Sequence, residues 1–185
     1  MSPSVKNLIL ITGMSGSGKT TLAKKFEDDG YAVITMGDVV RGLAEERGLE
    51  PTLDVLGSLA EEIRSEGGNA AVAERCVKWL DGVDERFVIV DGIRSMAEVD
   101  VFRKSFRTIL ISVHASPATR FQRLMERKRA DGSSKYEKFQ ERDLRELGFN
   151  LGTAIALSDH MILNEGPITE LSEKYKALTE RLNQG

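Results

Sequence analysis

The stretch that decides the fold is "NLILITGMSGSGKTTLAKKF" at residues 7–26. Residues 8–12 form a short, continuous apolar run, which is typical of a parallel strand that is buried on both faces. The amphipathic stretch from Thr20 predicts a helix that stops at Gly30. Between them, "GMSGSGKT" matches the phosphate-loop pattern G-x-x-x-x-G-K-[ST] in full. We therefore predict a strand–loop–helix unit that binds the phosphates of a nucleotide.

The residue types in this loop suit that chemistry. Glycine lets the backbone curl until successive N–H groups point at phosphate oxygens, and the helix N-terminus adds its positive end. We predict that Lys19 reaches the β- and γ-phosphates and that Thr20 ligates Mg²⁺. The predicted nucleotide-binding residues of the loop are Gly13, Met14, Ser15, Gly16, Ser17, Gly18, Lys19, Thr20 and Thr21. ATP and Mg²⁺ are the expected cofactors, with GTP as the alternative donor.

Apolar runs and amphipathic stretches alternate along the rest of the chain. Further strands are predicted at 31–36, 86–92, 108–114 and 160–164, and a closing helix is predicted after Pro167. Five strands that alternate with helices predict an α/β fold, a five-stranded parallel sheet flanked by helices. The length of 185 residues fits one domain with small insertions.

Composition argues against several classes of function. The net charge of −3, from 26 basic and 29 acidic residues, gives no sign of general binding to nucleic acid or to anionic membranes. A single cysteine, Cys76, rules out an intramolecular disulfide and a cysteine-based zinc cluster. The first seven residues lack the features of a signal peptide, and "LILI" is too short to span a bilayer. We therefore expect a cytoplasmic protein whose partner is a small molecule.

Two motifs after the loop indicate where a transferred phosphoryl group goes. "MGDVVR" (36–41) places Arg41 three residues after Asp38, on the first turn of a predicted helix, where it can clamp a phosphate. "VIVDGIR" (88–94) ends a buried strand at Asp91, a candidate for holding Mg²⁺ through water, and Arg94 lies just beyond. Phosphoryl transfer needs positive charge around the transferred group, so these motifs favour a small-molecule kinase.

An arginine series in the second half of the chain adds to this charge. Its first members are spaced by three and four residues along one helical stripe, and the polar segment that follows is predicted to close over the phosphates. The series comprises Arg120, Arg123, Arg127, Arg129, Arg142 and Arg145. The stretch "KYEKFQERDLRELG" that contains the last two also suits a solvated charged helix, and both interpretations stay open at this point.

The motifs "GMSGSGKT", "MGDVVR", "DGIRS" and "NEG" resemble those of the nucleoside monophosphate kinases, above all adenylate kinase. They are more similar still to an archaeal group of adenylate-kinase-related proteins, and the likeness covers nearly the whole chain. The resemblance implies ATP- and Mg²⁺-dependent transfer of the γ-phosphoryl group to a nucleoside monophosphate. It also implies one kinase domain over 1–185, with an acceptor-binding helical segment at 38–84 and a short lid at 127–146.

The resemblance further implies roles for individual residues. Asp38 and Arg41 match the acceptor-phosphate segment, and Arg94 matches the second acceptor-phosphate arginine. Arg123 lies where the family stacks an arginine on the ATP adenine, and Arg127 lies where an arginine meets the ATP phosphates. The implied lid arginines are Arg129 and either Arg142 or Arg145. The segment from Asn164 to Gly166 is implied to border the adenine. The predicted catalytic set is Lys19, Asp38, Arg41, Arg94 and Arg127.

Glu98 departs from the adenylate kinase pattern. Adenylate kinase carries a glutamine four residues after its second arginine, which reads the AMP base, and Glu98 stands at that distance from Arg94. A carboxylate only accepts hydrogen bonds, so it suits the adenine amino group or the guanine N–H groups. The alternative is structural, because Ser95-x-x-Glu98 fits a helix capping box.

Asp38 has three interpretations, of which the first two depend on the acceptor. With a phosphate acceptor, Asp38 orients Arg41 or binds water on Mg²⁺; with a hydroxyl acceptor, as in dephospho-coenzyme A and shikimate kinases, it is the candidate general base. The third interpretation is a helix N-cap. A function of another class, a regulatory ATPase that signals to a protein partner, is disfavoured by the arginine-containing acceptor motifs.

Overall fold

A sheet of five parallel strands forms the centre of the computed structural model, which describes residues 6–128 and 136–184. The strands are β1 (Asn7–Thr12), β2 (Ala32–Thr35), β3 (Phe87–Ile93), β4 (Arg107–His114) and β5 (His160–Leu163). Their order is β2-β3-β1-β4-β5, so β1 pairs with β3 on one side and β4 on the other. The predicted sheet is confirmed, with small differences at strand ends, since Met36 begins a helix and Asn164 follows β5.

Helices connect the strands and follow the last of them in the described part of the chain. They are α1 (Lys19–Asp28), α2 (Met36–Glu46), α3 (Leu53–Gly67), α4 (Ala71–Leu80), α5 (Met96–Ser105), α6 (Pro117–Lys128), α7 (Tyr136–Gly148), α8 (Leu151–Ala156) and α9 (Ile168–Gln184). Helices α2, α3 and α4 pack on one another between β2 and β3 in the sequence. Most of this helical block lies within segment 38–84, whose acceptor-binding role stays a prediction.

Apolar side chains pack on both faces of the sheet. Leu8 and Leu10 of β1 belong to a core cluster that joins the sheet to α2–α5. Ile9 and Ile11 belong to a second cluster, which joins the sheet to α1 and α9 through residues such as Phe26. Because successive side chains of a strand point to opposite faces, a strand covered on both sides needs a continuous apolar run. This explains why residues 8–12 contain no alternating polar positions.

The starts of two helices fix residues that were predicted to act in the site. Thr35 is the N-cap of α2, and its hydroxyl accepts from the backbone N–H of Asp38 at 3.0 Å. The N-cap interpretation of Asp38 is therefore wrong, because Asp38 lies inside the first turn. At the start of α5, the Ser95 hydroxyl accepts from the N–H of Glu98 at 3.2 Å, as a capping box requires.

Candidate nucleotide and acceptor sites

The loop between β1 and α1 depends on three glycines with positive φ. Gly13, Gly16 and Gly18 have φ angles of 143°, 81° and 106°, a region that side chains disfavour. A Cβ at Gly13 would collide with the carbonyl oxygen of Val113, and a Cβ at Gly18 would collide with the side-chain amide of Asn164. The glycines are thus required both by the backbone conformation and by the close approach of β4 and residue 164.

Lys19, Thr20 and Asp91 meet at the carboxyl ends of β1 and β3. The Lys19 Nζ donates to the carbonyl oxygen of Met14 at 3.0 Å, and the Thr20 hydroxyl donates to Asp91 Oδ2 at 3.4 Å. Asp91 is 5% exposed, and its Oδ1 is buried without a hydrogen-bond partner among the described residues. Burial raises the pKa of Asp91, and the charge of Lys19 and the bond from Thr20 oppose that rise.

These oxygens fit the magnesium ion that the sequence predicts. A buried carboxylate oxygen without a partner is unfavourable, and a divalent cation with its water shell would supply the missing partner. Mg²⁺ is usually held by one or two protein oxygens together with water and substrate phosphates. Thr20 and Asp91 offer such a pair next to the phosphate loop, as expected of a metal bound with the nucleotide.

A cavity of about 480 Å³ lies beside Gly18 and Thr21, between α1 and α6. Arg123 lines it, and its guanidinium donates to the carbonyl oxygens of Asn164 at 2.8 Å and Gly166 at 3.0 Å. The side-chain amide of Asn164 donates to the carbonyl oxygen of Ser17 at 2.8 Å. The structure thus brings together the residues that were predicted to surround the adenine, and it fixes the plane of the Arg123 guanidinium.

A larger cavity of about 790 Å³ lies between α2, α3, α7 and the end of β3. Six cationic side chains line it: Arg41, Arg64, Arg94, Lys138, Arg142 and Arg145. The acidic lining is smaller: Asp54, Glu141 and Glu146. Apolar groups, including Val40, Leu56 and Phe149, form part of the wall. An excess of positive charge beside apolar surface suits an acceptor with an anionic group and a larger, less polar body.

Asp38 and Arg41 form one hydrogen-bonded cluster with Thr35. The Nε of Arg41 donates to Asp38 Oδ1 at 3.0 Å, and its Nη2 donates to the hydroxyl of Thr35 at 3.2 Å. That hydroxyl also donates to Asp38 Oδ2 at 2.6 Å. Partial burial raises the pKa of Asp38, but the hydrogen bonds from Thr35 and Arg41 outweigh it and hold the pKa below its ordinary value. Asp38 is therefore suited to orienting Arg41 and is a weak base.

Arg94 stands apart from the other arginines of this cavity. Its backbone N–H donates to Glu98 Oε2 at 2.6 Å, while its guanidinium has no hydrogen-bond partner within residues 6–128 and 136–184. Burial lowers the pKa of Arg94, and the charge of Glu146 opposes that effect. The guanidinium is therefore available to an anion that enters the cavity.

Glu98 is fully buried and does not line the cavity. Its Oε1 accepts from the Nη2 of Arg64 at 2.8 Å, and its Oε2 holds the N–H of Arg94. The interpretation of Glu98 as a reader of the acceptor base is wrong, because both carboxylate oxygens are engaged inside the protein. Arg64, which the sequence did not indicate, reaches the cavity instead, with its guanidinium 4.8 Å from the centre of the Phe149 ring.

Helix α7 is a wall of the larger cavity, and its most buried polar residue, Glu146, was missed from the sequence. Glu146 Oε2 accepts from the backbone N–H of Ser15 at 3.2 Å, and Oε1 accepts from Arg142 Nε at 3.3 Å. The spacing of Phe139, Arg142 and Glu146 places them on one helical face, a signal that the high charge of the stretch obscured. Arg145 lines the same cavity, 3.5 Å from Glu61.

Arg120 has a structural position and does not cover phosphates. It is 3% exposed and donates through its two terminal nitrogens to Asp143 at 2.8 and 2.6 Å. One of these nitrogens also donates to the carbonyl oxygen of Ser15 at 3.1 Å. Arg120 thus joins α6, α7 and the phosphate loop. The side chain of Arg127 and the whole of Arg129 lie outside the described residues, so their roles remain predictions.

Comparison with known proteins agrees with this geometry. The family model described as "AAA domain" matches residues 12–140. A UPF0200 protein of Hyperthermus butylicus is 44% identical over 182 residues, which cover 98% of each chain. UPF0200 protein MJ1399 of Methanocaldococcus jannaschii is 46% identical over 182 residues, covering 95% of this chain and 91% of its own. The chain belongs to the AAA domain family and to the UPF0200 family.

The UPF0200 chain also shares its fold with solved structures. TT1252 from Thermus thermophilus has a TM-score of 0.68 and 19% identity, covering 96% of this chain and 98% of its own. A shikimate kinase from Bacteroides thetaiotaomicron has a TM-score of 0.58 and 17% identity, covering 97% of this chain and 99% of its own. A gluconokinase from Sinorhizobium meliloti has a TM-score of 0.57 and 20% identity, covering 96% of this chain and 94% of its own. The predicted phosphate-loop kinase fold is confirmed, and so is the resemblance to an archaeal group, whose members here are UPF0200 proteins.

Within residues 6–128 and 136–184, none of the helices is long and apolar enough to cross a bilayer.

Proposed function

We propose that this UPF0200 protein transfers the γ-phosphoryl group of ATP to a nucleoside monophosphate. The observation that carries the proposal is the position of Glu146, which contacts the phosphate loop through Ser15 and also lines the larger cavity. The nucleotide loop and the cationic cavity therefore meet at one point. A kinase needs such a junction, because donor and acceptor must react in line without intervening water.

On the donor side, backbone N–H groups of the loop and the Lys19 ammonium hold the phosphates. Arg123 and Gly166 border the base in the smaller cavity, and Arg127 is proposed to meet the phosphates. Thr20 and Asp91 would hold a magnesium ion, which would supply positive charge at the phosphate oxygens. These groups neutralise the charge that spreads over the transferred group in the transition state.

On the acceptor side, Arg41 and Arg94 hold the acceptor's phosphate. Asp38 keeps Arg41 in place, and Glu98 binds the backbone N–H of Arg94. The apolar wall that includes Phe149 contacts the nucleoside body. The phosphoryl group then passes directly from donor to acceptor, with no covalent intermediate on the protein. Segments 38–84 and 127–146 act as the acceptor-binding segment and the short lid in this proposal.

A hydroxyl acceptor is the second candidate, and the fold shared with a shikimate kinase and a gluconokinase supports it. Asp38 would be the general base. Its lowered pKa weighs against that role, because a base works best when its pKa lies near the working pH. A regulatory ATPase is disfavoured, because hydrolysis of ATP alone does not require a second cavity with an excess of positive charge.

An acceptor screen tests the proposal. The protein is incubated with ATP and Mg²⁺ and with each nucleoside monophosphate, dephospho-coenzyme A or shikimate, while ADP formation is followed. We expect at least one nucleoside monophosphate to stimulate turnover, and Lys19→Ala to abolish the stimulation. Stimulation by a hydroxyl acceptor alone would favour the second candidate. Slow hydrolysis that no small acceptor changes would favour the regulatory ATPase.

A further inference from the structure

Glu146 places a carboxylate directly on the phosphate loop. The residue lies on α7, and its Oε2 accepts the backbone N–H of Ser15, which lies 131 positions earlier in the chain. Only 4% of Glu146 is exposed. The N–H of Ser15 belongs to the loop whose amides the proposed function assigns to phosphate oxygens. A carboxylate oxygen therefore occupies a place that suits a phosphate oxygen.

The side chains around Glu146 are positively charged, as they are in a site that binds phosphate. Burial raises the pKa of Glu146, but the charges of Arg94, Lys19 and Arg142 outweigh it and hold the pKa below its ordinary value. The carboxylate is consequently ionised at neutral pH. The same interaction opposes the lowering of the Lys19 pKa by burial. The cations proposed to act on phosphates thus already face an anion supplied by the protein.

We infer that Glu146 is a built-in anion that competes with the donor's phosphates for the loop and withholds Arg142 until the donor binds. The inference rests on the proposed function, because it requires that the loop bind a triphosphate. A phosphate oxygen and the carboxylate cannot accept the Ser15 N–H from the same position, and two anions so close repel each other. Donor binding therefore turns Glu146 away from the loop.

Helix α7 remains anchored when this contact is exchanged. Arg120 still joins Asp143 of α7 to the carbonyl oxygen of Ser15, so the Glu146 side chain is the part that moves. Arg142, which now donates to Glu146 Oε1, becomes available to the phosphates. Because Arg142 also lines the larger cavity, donor binding changes the charge that the acceptor meets.

Binding measurements on charge-altered variants test this inference. Isothermal titration calorimetry with Mg-ATP and with inorganic tripolyphosphate gives dissociation constants for the wild type, Glu146→Gln and Glu137→Gln. We expect Glu146→Gln to bind both ligands about tenfold more tightly, because the competing charge is gone while the side-chain shape is kept. Glu137→Gln removes the same charge from an exposed position of α7, and we expect it to match the wild type.

The outcomes separate the inference from the proposed function. If Glu146→Gln binds no more tightly than the wild type while Lys19→Ala weakens binding, the competition is wrong and the phosphate site stands. If the wild type binds neither ligand, or if Lys19→Ala binds as tightly as the wild type, the proposed function fails as well. Where Glu146→Gln does not fold, Glu146→Met decides in the same way. It removes both the charge and the carboxylate oxygens beside Ser15 at a similar side-chain length, so tighter binding supports the competition and unchanged binding overturns it.

Discussion

Backbone groups form most of the proposed donor side of this site, whereas paired side chains form the proposed acceptor side. The phosphate loop owes its shape to positive φ angles at three glycines within six residues of sequence. Around the larger cavity, by contrast, the arginines other than Arg94 each contact a carboxylate. These pairs are Arg41–Asp38, Arg64–Glu98, Arg142–Glu146 and Arg145–Glu61.

This difference determines how each side responds to substitution. A site built from backbone amides depends on conformation, so it tolerates few residue types at its glycines and many elsewhere. A site built from guanidinium–carboxylate pairs depends on orientation, because each carboxylate sets the direction of its partner. We therefore expect that a single substitution in the loop can abolish donor binding. Each substitution in a guanidinium–carboxylate pair is expected to lower acceptor affinity only partly.

Lys19→Ala should have the largest effect, since it removes the one loop side chain whose charge faces the transferred group. We expect the rate of ADP formation with the best acceptor to fall by about a thousandfold. The matched control is Lys24→Ala on the same helix, an exposed lysine paired with Glu27 and Asp28. Its rate should stay within about twofold of the wild type, as is usual for surface positions. Comparable losses in both variants would contradict the donor-side assignment.

Glu98→Gln should act on stability and not on acceptor choice. Arg64 would keep its buried charge without a full counter-charge, so we expect the free energy of unfolding to fall by about 3 kcal/mol. Urea denaturation at neutral pH measures this change. Glu62→Gln, which affects the exposed pair with Arg47, is the control and should leave the free energy of unfolding unchanged. A changed preference among nucleoside monophosphates with unchanged stability would restore the base-reading interpretation.

Arg41→Ala should weaken acceptor binding while leaving donor binding intact. We expect the dissociation constant of the acceptor to rise by about tenfold, the effect of losing a hydrogen bond to a charged group. Calorimetric titration with the acceptor found in the screen, and separately with Mg-ATP, measures both sides. Arg47→Ala, just beyond the end of the same helix and outside the cavity, is the control. An unchanged acceptor affinity in Arg41→Ala would show that the acceptor phosphate binds elsewhere.

Asp38→Asn should have the smallest effect if the acceptor is a phosphate. No proton needs to be removed from a phosphate acceptor, so we expect the rate at saturating acceptor to fall by less than about threefold. General-base catalysis contributes about a hundredfold or more, and a loss of that size would instead indicate a hydroxyl acceptor. Single-turnover rates with saturating ATP distinguish the two results.

The parts of the molecule that sequence predicts well are those coded by contiguous residues. Strand β1, the glycine loop and the start of α1 follow from one stretch, because local conformation and burial on both faces of the sheet require those residue types. The hydrogen bond that caps α5 at Ser95 was predictable for the same reason. The use of the Glu98 carboxylate was not, since its partner Arg64 lies 34 positions earlier, and the two meet only because α3 and α5 both pack on α4.

The contact of Glu146 with Ser15 could not be predicted either, because the two residues are also far apart in the sequence. Helix α7 is charged along most of its length, and its pattern alone also suits a solvated helix. Two of the interactions that orient it come from α6: Arg120 donates to Asp143, and the Arg120 guanidinium lies 5.0 Å from the centre of the Phe139 ring. Both depend on how α6 and α7 lie against each other, and the spacing of residues within α7 indicates only which of its faces is buried.

The buried pair of Arg64 and Glu98 has a consequence for how this protein family evolves. Neither residue can be exchanged alone without leaving a charge or a donor unsatisfied in the core, so the two positions are expected to change together in descendants of a common ancestor. Because Arg64 also borders the acceptor cavity, such a paired change would alter the cavity wall and the core in one step. Under the proposed function, a shift in acceptor preference along a lineage would then leave its record at position 98, a buried residue that does not line the cavity.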